Sequence, residues 1–199
     1  KFVEWKAREE DKVRALVKAG FSLEDSYHTV SGQNANNSVR VTDEYMQAVI
    51  DGKSWDTKWR TNGGKVAKTL DARKLFRKIA EMAWKCADPG LQFDTTINRW
   101  HTVPNSGRIN GSNPCSEYMS LDNSACNLAS LNLMKFTRRE VDGASVRYVF
   151  DEVSYRHAAR IFTIAQEILV DYAAYPTQAI AQNAHDYRQL GLGYANLGA

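Results

Sequence analysis

The chain has 199 residues, of which 43% are apolar and 25% charged, with a formal net charge of +3. That balance fits one soluble globular domain, or part of a larger one, and excludes a low-complexity chain. Lys and Arg alternate with Asp and Glu instead of forming a block, so no nucleic-acid face is indicated, and no apolar run reaches the roughly 18 to 20 residues of a membrane span.

In chain order, the first expected element is a helix already running at Lys1 and continuing to about Lys18, with Gly20 as its stop. Its charged stretch from Lys6 to Lys18 reads as the solvated side of an amphipathic helix. The turn-rich run Ser31 to Asn37 leads into a short strand, Ser38 to Val41, with Val39 and Val41 on one face. Thr42 is expected to cap a helix that ends near Gly52. Alternation from Trp55 to Trp59 predicts a second strand, and Gly63-Gly64 turns into a third over residues 66–69. Asp71 then caps a long helix whose stripe Leu75, Ile79, Met82 and Cys86 is apolar, and Asp88-Pro89-Gly90 ends it. From Leu91 to Phe136 short apolar pieces alternate with Asn, Ser, Gly and Pro, an irregular region long enough to be functional. After the Asp142-Gly143 turn, a helix over about 151–172 carries Ile161, Ile164, Ile168 and Tyr172 on one face. Pro176 interrupts, a short helix follows over 177–185, and a Gly-rich apolar stretch closes the chain. The mixture of helices and strands indicates an α/β fold. Lys1 opens inside a helix and Ala199 breaks off an apolar stretch, so both ends read as cut.

Three cysteines, at 86, 115 and 126, are too few and too unevenly spaced for a secreted disulfide scaffold, which favours a reducing cytoplasm. Cys86 falls on an apolar helical stripe and reads as core. The histidines at 28, 101, 157 and 185 are scattered, and no cysteine spacing fits a zinc site, so no metal site is expected. Trp55, Trp59, Trp84 and Trp100 follow helix or strand periodicity and read as core packing. Gly63-Gly64-Lys65 and Gly191-Leu192-Gly193 fit neither a Walker nor a dinucleotide pattern.

The segment that points to chemistry is Asn113-Pro114-Cys115-Ser116-Glu117. Pro114 removes a donor and restricts Asn113, so the segment is a rigid loop. If Cys115 is locally extended, Asn113 and Glu117 share its side. An amide and a carboxylate would then flank the thiol, the one able to orient a substrate hydroxyl and the other to take its proton. A neighbouring carboxylate raises a thiol pKa, which disfavours thiolate catalysis. A thiyl radical is neutral and carries no such penalty. For these five residues alone, a buried cysteine in a turn is the open alternative.

The stretch Pro104 to Glu117, followed by Ser124-Ala-Cys126-Asn-Leu-Ala-Ser-Leu-Asn-Leu133, resembles the active-site region of ribonucleotide reductase large chains, most of all the adenosylcobalamin-dependent, class II branch. Gln33 to Val39, Asp88 to Gly90, and Tyr175-Pro-Thr177 through Leu190-Gly-Leu-Gly193 resemble further family segments in the same order. The resemblance implies a ten-stranded α/β barrel with the radical cysteine on a finger loop inside it. This chain, as an internal fragment over 1–199 with its active-site loop region at about 104–133, would supply an incomplete barrel.

By the same resemblance, Cys115 is the thiyl-radical residue, Glu117 the base for the 3′ hydroxyl, and Asn113 the amide that binds the sugar. Asn113, Pro114, Cys115, Ser116 and Glu117 line the substrate pocket. Cys126 is one of two redox cysteines, its partner lying upstream of this chain, and a Cys86 to Cys126 pair is rejected. The implied cofactor is adenosylcobalamin. The implied partners are a ribonucleotide substrate and a thioredoxin-like or other dithiol reductant, with a homodimer among the assemblies open to the full-length enzyme and with no nucleic acid or membrane. Two alternatives stay open: a class I reductase, radicalised by a metal or tyrosyl partner subunit, and a catalytically inert fragment.

Overall fold

A computed structural model describes residues 1–199, which divide into two compact units, 1–121 and 122–199. The first unit opens with α1 (Trp5–Lys18), closed by Gly20 at φ 98° with Phe21 N–H donating to the Leu16 carbonyl. One charged side of α1 departs from the solvated face expected. Glu9 is buried because its carboxylate accepts from the Ser31 backbone N–H at 3.0 Å and from Lys12 at 2.6 Å. A short helix unforeseen in the sequence, α2 (Leu23–His28), starts at Ser22, whose hydroxyl accepts from Asp25 N–H.

Strand β1 (Ser38–Val41) leads to α3 (Asp43–Asp51), capped by Thr42 and ended by Gly52 at φ 69°. Strands β2 (Ser54–Lys58) and β3 (Val66–Asp71) form an antiparallel hairpin, and Asp71 caps α4 (Ala72–Cys86) by accepting from Lys74 N–H. Strand β4 (Gly90–Phe93) then pairs in parallel with β1, setting Arg40 opposite Gln92 and Val41 opposite Phe93. One face of this pair is apolar: Val41 packs in a core with Tyr45, Ala48 and Ala72, against which Val39, Trp55 and Leu91 rest. The other face carries Arg40 and Gln92, because side chains alternate along a strand. Helix α5 (Asp94–Arg99) follows, and then a two-residue hairpin, β5 (Gly111–Ser112) with β6 (Met119–Ser120).

The second unit holds β7 (Asn127–Asn132), the hairpin β8 (Thr137–Asp142) and β9 (Ser145–Phe150), α6 (Glu152–Tyr172), α7 (Gln178–Tyr187) and β10 (Leu190–Ala195). The β8–β9 hairpin turns at Gly143, φ 57°. β10 lies parallel to β7, so the closing Gly-rich stretch is a strand. Such a parallel pair needs a crossover, and α6 and α7 lie within it.

The strands form five separate two-stranded sheets and no closed barrel, so the α/β expectation of an incomplete barrel holds. Residues 91–136 are less irregular than expected. They hold β4, α5, the β5–β6 hairpin and β7, elements mostly too short to leave a readable period. One packing expectation fails. Trp84 and Trp100 are 90% and 77% exposed, and Trp59 is exposed too, leaving Trp55 alone of the four against the core. On α6 the one-face stripe of Ile161, Ile164, Ile168 and Tyr172 is exposed, while the buried positions are Gln166 and Val170. The helix meets β7 and β10 through a different side, and nothing within this unit covers the stripe.

Candidate active site

The loop 113–118 is the tip of the β5–β6 hairpin. Asn113 closes it twice, its N–H donating to the Tyr118 carbonyl at 3.1 Å and its Oδ1 accepting from Tyr118 N–H at 2.9 Å. Ser116 N–H donates back to the Asn113 carbonyl at 3.1 Å, making a β-turn with Pro114 at its second position, where a fixed φ fits. Cys115 therefore sits inside a turn and not on an extended segment. Ser116, at φ 65°, bends the chain again before Glu117. The alternation argument that would put Asn113, Cys115 and Glu117 on one side does not apply to this backbone. What the turn does provide is exposure: Pro114, Cys115 and Glu117 lie open at the tip, while Asn113 and Ser116 are half-buried beneath it. The alternative of a buried cysteine in a turn is thus half right, since the turn is present and the burial is not. Asn36 approaches from the segment before β1, its Nδ2 3.9 Å from Cys115 Sγ.

The approach to the hairpin is clamped. Arg40 donates to Asp94 Oδ1 at 3.0 and 2.8 Å and to the Ile109 carbonyl at 3.0 Å. Asn98 exchanges two hydrogen bonds with the Ile109 backbone, and the Ile109 side chain is buried. Arg108 forms a second ion pair with Asp94. Burial works to raise the Asp94 pKa, but the hydrogen bonds and charges of Arg40 and Arg108 outweigh it and hold the carboxyl below its ordinary value.

Gln92, 4% exposed, bridges this clamp to the loop. Its Oε1 accepts from Arg40 at 2.9 Å, and its Nε2 donates to Ser112 Oγ and Ser116 Oγ, each at 2.8 Å. The sequence reading missed it. The one local signal was a polar residue between Leu91 and Phe93 in an otherwise apolar strand. A cavity of about 400 Å³ opens beside these groups, lined by Asn34, Asn36, Arg40, Gln92, Ser112 and Asn113 among others. It is polar and of a size that takes a small ligand.

Cys126 belongs to the second unit and precedes β7. Its sulfur lies against Gly191 of β10: a Cβ there would stand 3.3 Å from Sγ and 2.5 Å from Leu128 Cδ2. A side chain at this position would push the exposed Leu128 aside and crowd the sulfur, a constraint hidden in the sequence. Gln166 of α6 is buried and fastens both strands, donating to the Asn127 and Gly191 carbonyls at 2.8 and 2.9 Å. Cys86, by contrast, is half-buried with Sγ within 3.4 Å of the Met82 and Asp88 carbonyls. No disulfide joins any of the three cysteines.

A hairpin that displays a thiol beside a polar cavity, in a chain of α/β pieces without a closed barrel, defines a class. The barrel domain of ribonucleotide reductase matches residues 1–199, and the chain belongs to that family. Proteins named vitamin B12-dependent ribonucleotide reductase are similar to it. The one from Streptomyces clavuligerus is 52% identical over 201 residues, covering 100% of this chain and 20% of that protein. The one from Rhodopirellula baltica is 53% identical over 202 residues, covering 100% of this chain and 19% of that protein. A vitamin B12-dependent ribonucleoside-diphosphate reductase from Thermoplasma acidophilum is 34% identical over 160 residues, covering 80% of this chain and 20% of that protein. The chain thus spans about a fifth of the length of these relatives.

The cobalamin of those names can be tested against the residues present. The cavity beside the loop is about 400 Å³, the size of a small-ligand pocket and not of a whole cobalamin. The residues beside the loop do not fit the cofactor itself.

Proposed function

We propose that the full-length protein containing this chain reduces ribonucleotides to 2′-deoxyribonucleotides for DNA precursor synthesis. Residues 1–199 are then an internal piece of its catalytic barrel, with the active-site loop region at about 104–133. The reading is carried by the match of the whole chain to the reductase barrel domain, joined to a rigid hairpin tip that exposes the Cys115 thiol. The names of the relatives support a cobalamin cofactor, taken here as adenosylcobalamin, and hence the class II branch.

In this reading the bound cofactor would supply the radical that removes the hydrogen atom of the Cys115 thiol, and Cys115, then a neutral thiyl radical, forms an S–H bond with the hydrogen of the substrate 3′ carbon as that C–H bond breaks homolytically. Glu117 takes the 3′ hydroxyl proton. Asn113 hydrogen-bonds the sugar as the 2′ oxygen leaves as water. Two electrons and two protons come from a thiol pair, Cys126 and a cysteine upstream of this chain, which closes into a disulfide. Return of the hydrogen from Cys115 to the 3′ carbon regenerates the thiyl. The sum is one ribonucleotide and two thiols consumed, and one deoxyribonucleotide, one disulfide and one water formed. A thioredoxin-like or other dithiol reductant reopens the disulfide. Cys126 must be a thiol at the start of each cycle and Cys115 must stay out of any stable disulfide, which supports a reducing, cytoplasmic setting. A homodimer is the assembly we propose for the full-length enzyme.

The deciding experiment uses the full-length protein with cofactor, ribonucleotide and dithiol. Cys115→Ser is expected to abolish turnover, because an alkoxyl radical is too costly to generate. Cys126→Ser is expected to form no deoxyribonucleotide even in a single turnover, because the thiol pair that supplies the two electrons then lacks one member. Activity in Cys115→Ser would end the radical assignment, and deoxyribonucleotide formed by Cys126→Ser would end the redox one.

A further inference from the structure

Gln92 and its partners form a bridge with a fixed direction. Arg40 carries only donors, so Gln92 must turn Oε1 towards it, and Nε2 must then face the loop. There it donates to Ser112 Oγ and Ser116 Oγ at 2.8 Å each. The Ser112 hydroxyl donates its own hydrogen bond to the Asn113 carbonyl at 2.7 Å. Ser116 follows Cys115 directly and holds φ at 65°, a conformation that non-glycine residues adopt only when their surroundings over-determine it. The bridge starts from a rigid base, since Arg40 and Gln92 are register partners in the parallel β1–β4 pair and Asp94 and the Ile109 carbonyl fix the guanidinium. A loop tip otherwise exposed is therefore tied at two points, on either side of Cys115, to one buried amide.

We infer that Gln92 is a positioning residue for Cys115: through Ser112 and Ser116 it holds the turn, and with it the thiol, at the place where hydrogen transfer occurs. This inference rests on the radical role proposed for Cys115. Gln92 has no chemistry of its own in the reaction and acts through the loop. Hydrogen-atom transfer requires the donor and acceptor atoms to be held within van der Waals approach, and a displacement of about 1 Å can cost on the order of a hundredfold in rate.

The test compares full-length wild-type enzyme with Gln92→Leu, with the double variant Ser112→Ala/Ser116→Ala, and with all three substitutions combined. Gln92→Leu is expected to lower kcat by about ten- to a hundredfold while KM for the nucleotide changes less than about threefold. The serine double variant should do the same. The triple variant should be no slower than the slower of the two, because both remove one bridge. An unchanged kcat, a rise in KM alone, or losses that multiply in the triple variant would each overturn the inference. Should Gln92→Leu fail to fold, the serine variant carries the same kcat-against-KM reading with only two oxygen atoms deleted. A Cys115→Ser enzyme that still turns over marks failure of the function itself. A dead Cys115→Ser enzyme beside a fully active Gln92→Leu enzyme marks failure of this inference alone.

Discussion

At the scale of single residues, Asp94 decides whether the base of the hairpin holds. It accepts hydrogen bonds from Arg40 and pairs with Arg108, and these partners keep its carboxyl ionised to lower pH than usual. A carboxyl with a lowered folded pKa binds fewer protons folded than unfolded. Its stabilisation is complete above the ordinary carboxylate value and is lost as pH falls through the lowered one. Asp94→Asn is expected to destabilise the protein by about 2 kcal/mol at neutral pH, the range for hydrogen bonds to a charged group. Denaturant titrations of wild type and Asp94→Asn should show that difference shrinking as the solution is acidified through the carboxylate range. A difference that stays constant with pH would remove Asp94 from the clamp. Arg40, Gln92 and Asp94 were individually invisible in the sequence, because a polar residue in a short strand looks the same whether it faces water or a buried network. Their roles come from register: β1 beside β4 puts Arg40 against Gln92.

At the scale of elements, what was legible followed from caps and long periods. Thr42, Asp71 and Gly52 do at the ends of α3 and α4 what their chemistry predicts. The β8–β9 hairpin was reduced to its Asp142-Gly143 turn because both strands are mostly exposed and carry no inside-outside alternation. The α6 stripe is legible as one apolar face from its helical spacing, but spacing alone does not say what covers that face. Ile164 and Ile168 are about half exposed, at 47% and 52%. An apolar stripe of this width rarely faces water in a finished protein, and the relatives are about five times longer than the chain. We expect other parts of the full-length protein to cover it. Ile164→Glu and Ile168→Glu should then change the stability of the isolated 199-residue chain by no more than about 0.5 kcal/mol each. In the full-length protein each should cost about 2 kcal/mol or more, for lost burial and a stranded charge. Equal small effects in both, measured by denaturant unfolding, would leave the stripe a true surface.

At the scale of the whole molecule, the candidate site divides into parts the chain supplies and parts it does not. The hairpin, its clamp and the polar cavity lie in the first unit, and the Cys126 seat between β7, β10 and α6 lies in the second. The cavity beside the loop is too small for a whole cobalamin, and the pair of cysteines that the proposed reduction consumes has one member here, Cys126, with Cys86 half-buried and its sulfur against two backbone carbonyls. Radical transfer is as sensitive to geometry as any enzymatic step, and a hairpin tip without a surrounding barrel neither excludes water nor fixes the sugar. The isolated 199-residue chain, given adenosylcobalamin, ribonucleotide and dithiol under anaerobic conditions, should therefore form no deoxyribonucleotide above the level of its own Cys115→Ser variant. Chromatography of the nucleotide products measures this directly. Turnover dependent on Cys115 in the isolated chain would mean that these residues suffice for cofactor, substrate and electrons together, and would overturn the division of labour drawn from the fold.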